Sequence, residues 1–519
     1  MHRYASSAIV LFVVFVTWTV VKSKLKKRRN NAKAASLGCL PPPELRNTNF
    51  IGNSILRESI RATKEDRGPQ YVVETMNSIS RDCHTLKVPI LDYELVVTRD
   101  PENAKVLFGT ADFDISHTRQ LSWMPLLGKG IFTSRGEIWK HSRALLRPQF
   151  AREMISDPNL EEHHLENMLR QLSVDASTGW TTKVDLAPLF FKFTLDTATE
   201  FIFGQSTNSL GQGTAGGREI DHDFNEAKVW IDKRGALAKF YWLMNSKEFK
   251  ANCSTIHDFA DSLVADRLAH PQEKVNADPE KAPRFSLLNE LAKETQDARE
   301  LRNETLHVLI AGRDTTGCLL GWVVYFLARH PAVYTKLHES ILERFGDQQA
   351  DFRSLSQANY LQWVINETLR VATVIPLNER IALRDTTLPR GGGPDGKSRV
   401  FVPEGTQVLI PLYAMQHRED IWGDDVEEFR PERWETHRPG WEFIPFGAGA
   451  RKCLGQQFGR QEVGYVISRF CQKYDRIENM EEGDGRMRLH HAIENRSGTG
   501  VQVRLHEATV SAQVRGVCK

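Results

Sequence analysis

The chain opens on a run of 18 residues without a charge, Tyr4–Val21 (YASSAIVLFVVFVTWTVV). A helix needs about 20 apolar residues to cross a bilayer. This run is apolar on every side instead of along one stripe, so the pattern predicts a single membrane-spanning helix over residues 1–21. Six basic residues follow directly: Lys22, Lys24, Lys26, Lys27, Arg28 and Arg29. Basic residues flanking a span stay on the cytosolic side, which predicts that the rest of the chain faces the cytosol. A cleaved signal would carry its charge ahead of the apolar run. Residues 22–45, basic and then stiffened by Pro41-Pro42-Pro43, read as a linker to the body of the protein, residues 46–519.

Beyond that point helical spacing prevails. Leu301–Ala328 is long, apolar and weakly charged, and His330-Pro331 stops it, the signature of a buried helix. Arg313 and Asp314 at its centre argue against a second span. Tyr360–Leu369 places Leu361, Val364, Ile365, Thr368 and Leu369 on one face. Short strand-like runs come late, at Arg380–Leu383, Val400–Val402 and Gln407–Ile410. Gly211–Gly217, His270–Pro283 and Arg390–Ser398 read as loops, the last as a hairpin tip. The expected architecture is mainly α with a small β region.

Composition narrows the function classes. With 519 residues the length suggests about three domains, and 40% apolar with 26% charged residues are ordinary globular proportions. Lys and Arg number 68 against 66 Asp and Glu, too even a balance to suggest a nucleic-acid partner. The seven cysteines are scattered, odd in number and without a C-x-x-C pair, which excludes a disulfide framework and a structural zinc site.

One cysteine keeps unusual company. In Phe446–Gly455 (FGAGARKCLG), three glycines and two alanines surround Cys453, and a helical pattern begins just after it. Small residues let backbone amides approach the sulfur, a helix N-terminus adds positive potential, and Arg451 adds a cation; all favour thiolate. Read alone, the loop suits a nucleophilic cysteine or a buried structural one. The surrounding pattern resembles the haem loop of the cytochrome P450 superfamily, F-x-x-G-x-R-x-C-x-G, at Phe446, Gly449, Arg451, Cys453 and Gly455. The resemblance implies a cytochrome P450 fold over 46–519, with haem b (iron protoporphyrin IX) held by Cys453 as the metal ligand and Arg451 on a haem propionate. A thiolate ligand pushes electron density to the iron and favours O–O cleavage.

Further motifs follow in the family's order. Glu367-Thr368-Leu369-Arg370 matches E-x-x-R, and Pro431-Glu432-Arg433-Trp434 matches its partner loop, with Trp434 where Phe is commonest. Together they imply a structural triad of Glu367, Arg370 and Arg433. Ala311-Gly312-Arg313-Asp314-Thr315-Thr316, mid-helix, implies room for haem and oxygen at Ala311 and Gly312. It also implies oxygen activation by Thr315 and proton delivery by Asp314. Trp139 and Arg143, four apart, would share a helix face and imply propionate binding. Arg380 matches another propionate position.

Local strings resemble the fungal branch of n-alkane and fatty-acid hydroxylases: DPEN at Asp100–Asn103, GEIWKHSRALLRPQFAR at Gly136–Arg152, AGRDTT, LPRGGGPDG at Leu388–Gly396, and CLGQQF. They imply a monooxygenase acting on a lipophilic substrate, first a long-chain alkane or fatty acid hydroxylated at its end. An intermediate of fungal secondary metabolism is the alternative. Electrons would come from a separate NADPH–cytochrome P450 reductase, since no G-x-G-x-x-G opens a helix after a strand. Location at the endoplasmic reticulum membrane follows from the anchor. A reductase-independent haem-thiolate isomerase or dehydratase is the rival class; such enzymes often lose the Thr that Thr315 supplies here.

Overall fold

A computed structural model describes residues 2–48, 53–90, 93–151, 158–211, 215–270 and 285–508. They divide into a smaller unit (Met1–Arg57, Val73–Asp114, Glu379–Ile410) and a larger one (Glu58–Val72, Ile115–Asn378, Pro411–Lys519). Helices dominate both the element list and the chain length, with short strands between them.

In the smaller unit, His2–Ser36 is one continuous helix of 35 residues. The expected linker is therefore helical as far as Ser36. Its Lys, Arg, Ala and Asn residues include no breaker before Gly38, whose φ of 65° closes the helix end. Side chains of 1–13, 15, 16, 19 and 20, most of the expected anchor, lie outside the described residues. Among the described residues no helix is long and apolar enough to cross a membrane. Val14, Trp18 and Val21 are described and exposed.

A sheet of five strands follows in the order Thr85–Ile90, Tyr93–Thr98, Gln407–Pro411, Leu377–Ala382, Phe113–Asp114. Strands thus do not cluster only late: TLKVPI and YELVVT pair antiparallel, Thr85 opposite Thr98. Each run is short and interrupted by Pro or a charge, so the period-2 pattern is faint in the sequence. Thr386–Gly392 and Ser398–Val402 form the hairpin expected around Arg390–Ser398. The expected loop at Gly211–Gly217 is helical from Ala215, while 271–284 lie outside the described residues.

The DPEN string has a local physical reason. Asp100 caps the Pro101–Gly109 helix, accepting from the amides of Glu102 (2.8 Å) and Asn103 (3.4 Å), with Pro101 in the first turn where no amide partner is needed. Buried Asn103 donates to Thr85 Oγ1 (3.2 Å), Thr98 Oγ1 (2.9 Å) and the Arg390 carbonyl (3.0 Å), and accepts from the Arg390 amide (3.0 Å). The adjacent Gly391 has a φ of 110°, and a Cβ there would stand 2.3 Å from Thr85.

The larger unit is built on the Ala298–Arg329 helix, capped by Asp297 and packed along the Leu186–Phe203 helix. It stops where Pro331 starts the next helix. Gln456–Lys473 crosses the same core, and a small sheet joins Val184–Asp185, Gln502–Glu507 and Tyr474–Asn479. The hairpin Leu489–His491 and Asn495–Ser497 is fastened by Trp322 Nε1 donating to the Asn495 carbonyl (2.8 Å).

Asn103→Ala strips four hydrogen bonds from buried groups, so unfolding by heat or urea should show a loss of roughly 2–3 kcal/mol. A change within about 0.5 kcal/mol, typical of surface sites, would show that the four bonds add nothing.

Candidate active site

The Cys453 loop is shaped by its glycines. Gly447 and Gly449 have φ of 66° and 67°, a region other residues avoid. The turn they permit brings the Cys453 amide onto the Phe446 carbonyl (3.0 Å) and the Lys452 amide onto the Gly449 carbonyl (3.1 Å). Gly455 caps the Gln456–Lys473 helix. Its amide faces the sulfur and, with Arg143 and Lys452, favours the thiolate. Burial is the larger influence, however, and raises the Cys453 pKa above its ordinary value. The loop's amide and cations thus favour the thiolate while burial opposes it, and a metal ion held by the sulfur would favour the thiolate further. Alone among the described cysteines, Cys453 has a side chain that keeps an opening to solvent, although protein atoms crowd the sulfur from the other sides. It faces a cavity of about 600 Å³ lined by Arg147, Pro148, Phe150, Ala151 and Leu454.

Beside this loop stands a cationic cradle. Trp139 and Arg143 lie one turn apart on the Gly136–Leu146 helix. The guanidinium carbons of Arg451 and Arg143 are 4.4 Å and 5.8 Å from the Trp139 ring centroid. Arg451 donates to the carbonyls of Ile131 (3.2 Å) and Ser134 (2.8 Å), and Arg143 to that of Lys452 (3.0 Å). Two forks and an indole N–H in one place suit carboxylates. Arg380 belongs to the smaller unit, where it sits 4.5 Å over the Phe108 ring and donates to the Glu379 carbonyl (2.7 Å).

The Ala298–Arg329 helix carries the second wall. From Asn303 to Ala328 every residue is buried except Ala311, Gly312 and Thr315. These three share one face, where the smallest side chains open the helix surface. Thr315 Oγ1 donates to the Ala311 carbonyl (2.7 Å), leaving its lone pairs for an acceptor role. The helix lies against the Gln456–Lys473 helix that follows the thiol loop, where a Cβ on Gly459 would stand 3.5 Å from Thr316 Oγ1.

Asp314 turns the other way. It is fully buried and meets Arg313 (2.6 Å) and Lys228 (3.0 Å), while Lys228 also holds Glu494 (2.8 Å). Arg313 is further paired with Asp221 and bonded to Asn225 (3.1 Å). Burial alone would raise the Asp314 pKa; Lys228 and Arg313 outweigh it and hold the carboxyl below the ordinary range. Asp232 nearby is pushed up to about 8, first by burial and then by Glu494. Sequence reading missed Lys228, Asp232 and Glu494 because they come from a distant helix and a hairpin, with no spacing to link them to Asp314.

Behind the thiol loop Glu367, Arg370 and Arg433 meet. Arg370 grips both oxygens of Glu367 (2.9 and 2.8 Å), and Arg433 Nε reaches Oε1 (2.8 Å). Trp434 fits the same centre: its Nε1 donates to Glu367 Oε2 at 2.9 Å, a bond Phe could not make.

A soft sulfur donor, a paired-guanidinium cradle and a small-residue helix face fit an iron porphyrin with two carboxylates. The Cytochrome P450 family model matches residues 42–493. The chain is a cytochrome P450. It is 38% identical over 486 residues to cytochrome P450 monooxygenase g430 of a Fusarium species, covering 90% of this chain and 85% of that one. Against cytochrome P450 52A13 of Debaryomyces hansenii identity is 36% over 493 residues, 92% of each chain. Against cytochrome P450 52A3-B of Candida maltosa it is 38% over 474 residues, 88% and 89%. The P450 is thus a monooxygenase of a family that uses haem and NADPH-derived electrons passed on by a reductase, and that acts on lipophilic substrates.

The charge cluster yields a pH prediction. Between about pH 4 and about pH 8 the unfolded Asp232 has lost its proton while the folded one keeps it, so stability falls as pH rises through this window. Asp232→Asn should flatten that fall in melting temperature. An unchanged slope would place the titration elsewhere.

Proposed function

We propose that this P450 hydroxylates long-chain alkanes or fatty acids at or near the chain end, from the cytosolic face of the endoplasmic reticulum membrane. The observation that carries the site reading is the single open patch, Ala311, Gly312 and Thr315, on an otherwise buried helix that lies against the helix following the Cys453 loop. Near-complete coverage by the 52A relatives and the matching local strings support the substrate class.

Haem, when bound through Cys453, supplies the oxygen activation that hydroxylates an unactivated C–H bond. Arg143, Arg451 and Trp139 hold its propionates, and the Glu367–Arg370–Arg433 triad keeps the loop in place. Ala311 and Gly312 leave room at the helix surface. Thr315 re-aims its hydroxyl from the Ala311 carbonyl into that room and offers a proton at Oγ1. Asp314 rests as a carboxylate and restores that proton after taking one from solvent: Lys228 is shared with Glu494, so Asp314 Oδ2 can leave the ammonium without stranding it unpaired. A buried charge abandoned without a partner would be costly. The retained Thr315 weighs against the reductase-independent isomerase class.

Membrane attachment rests on the apolar run Tyr4–Val21 and the basic residues after it. It is supported by exposed Val14, Trp18 and Val21 on the first helix, and by exposed Phe240, Trp242 and Leu243 in the larger unit. Such clustered apolar exposure is unusual for a wholly water-facing surface. The partner is a membrane-bound NADPH–cytochrome P450 reductase.

Microsomes holding the enzyme and a reductase, given alkane, fatty-acid and terpenoid panels, should convert the first two to terminal alcohols. Turnover confined to terpenoids would overturn the substrate class in favour of secondary metabolism. Deleting residues 1–30 should move most of the protein from the membrane pellet to the soluble fraction. Unchanged pelleting would show that Phe240, Trp242 and Leu243 or another surface hold it there.

A further inference from the structure

One buried cation has no counter-charge. Arg234, in the last turn of the Ala215–Ala236 helix, is 4% exposed and pairs with no carboxylate among the described residues. Its hydrogen bonds go to carbonyls instead. Nε donates to Ser122 (3.2 Å), one terminal nitrogen to Leu121 (3.1 Å) and the other to Met244 (2.8 Å). Leu121 and Ser122 lie on the His117–Leu127 helix, whose Pro125 brings no amide to the Leu121 carbonyl and so leaves it open to Arg234. The rings of Tyr241 and Phe249 are centred 5.1 and 5.4 Å from the guanidinium carbon.

Three carbonyls occupy three of the five N–H groups of an arginine. They satisfy hydrogens but leave the positive charge uncancelled, which is costly in a buried place. Burial lowers the Arg234 pKa, and no carboxylate acts against that; an arginine stays charged all the same. A second polar group is stranded beside it. Ser122, whose carbonyl Arg234 holds, is fully buried, and its hydroxyl has no partner among the described residues. A guanidinium with spare donors and an idle hydroxyl suit the two oxygens of a carboxylate.

The place of this pair in the fold points to the carboxylate's source. The His117–Leu127 helix ends at Gly128, which lies so close to Asn303 of the Ala298–Arg329 helix that a Cβ would collide with the Asn303 amide. Asn303 precedes Thr315 by twelve residues, about 18 Å along the helix. That is the scale of a long hydrocarbon chain. Met244 is half-buried and follows the short helix Ala238–Leu243, where Phe240, Trp242 and Leu243 are exposed. Its carbonyl can thus give way to an arriving anion and turn to water without unpacking the core.

We propose that Arg234 and Ser122 form the carboxylate subsite for a long-chain fatty acid, which is held by its acid end while its far end reaches the Thr315 patch. An alkane offers this site nothing, so the pair sets a preference for acids within the proposed substrate class.

The inference rests on that class, and the test separates the two. Hexadecanoic acid and hexadecane are titrated into the detergent-solubilised holoenzyme, with binding read by calorimetry and by the shift of the haem absorption band. In Arg234→Gln the ratio of acid to alkane affinity should fall about 10- to 100-fold, the worth of a charge-assisted hydrogen bond. Ser122→Ala, which removes only the idle hydroxyl, should lower the same ratio about fivefold, and it remains readable if Arg234→Gln does not fold. A wild type that binds both compounds, with a ratio unchanged in either variant, would overturn the subsite and leave the substrate class standing. A wild type that binds neither compound while converting terpenoids would overturn the substrate class and the subsite with it.

Discussion

The arrangement depends first on one carboxylate shut away from the surface. Glu367 is fully buried and accepts from Arg370, Arg433, the Trp434 indole and the Arg430 amide (3.0 Å). Two guanidiniums on one carboxylate leave donors to spare, and these reach the carbonyls of Gln416 (3.2 Å), Val426 (2.7 Å), Glu428 (3.0 Å), Trp422 (3.2 Å) and Asp425 (3.0 Å). A segment almost free of regular structure is thereby nailed to a helix by side-chain bonds. It needs such fastening, because irregular backbone cannot satisfy its own polar groups. The thiol loop follows 12 residues after Trp434, at Phe446. Its position is inherited from the anchored segment.

The second constraint is electrostatic sorting on the Ala298–Arg329 helix. A buried helix tolerates charge only where partners exist, and Arg313 and Asp314 find theirs in Asp221, Lys228 and Glu494 on one side. The open patch on the other side is left neutral: alanine, glycine and one hydroxyl. A lipophilic substrate meets no charge from these three residues, while Asp314, beside Thr315 in the chain, is held ionised on the other side. The Cys453 sulfur is subject to the same rule: its side chain opens on a cavity, yet its surroundings raise its pKa.

Much of this was legible before the coordinates. The long helix, the E-x-x-R helix, the hairpin at Arg390–Ser398 and the loop of Cys453 have local signatures: periodicity, Pro and Gly punctuation, or fixed spacing within ten residues. The Trp139, Arg143 and Arg451 cradle was legible only through the family pattern, because about 300 residues separate its halves. Illegible were interactions without a fixed spacing. Lys228 meets Asp314 from 86 positions away, and Glu494, 180 positions beyond Asp314, joins through Lys228; nothing in AKVWIDK or AIENRS marks them as buried. The early strands were missed because pairing with each other and with Gln407–Pro411, not their own alternation, makes them strands. The helix through Lys22–Ser36 was missed because charge after an apolar run was taken for a boundary, although Lys, Arg and Ala all favour helix.

Four consecutive residues show how far one helical turn can be divided. Arg313 and Asp314 face the ion cluster, Thr315 faces the open patch, and Thr316 faces Glu462. At about 100° per residue a turn must look in every direction, so a helix crossing the centre of the protein offers each neighbour one residue in four. Asp314 meets its burial with cations and stays charged; Glu462 meets the same burial with hydroxyls alone and sits near neutrality in its titration. At rest one acid is thus held charged by cations, while the other has hydroxyl partners, Thr197 among them. The difference lies in whether the facing helix supplied Lys228 or Thr197, a choice made by packing partners far away in the chain.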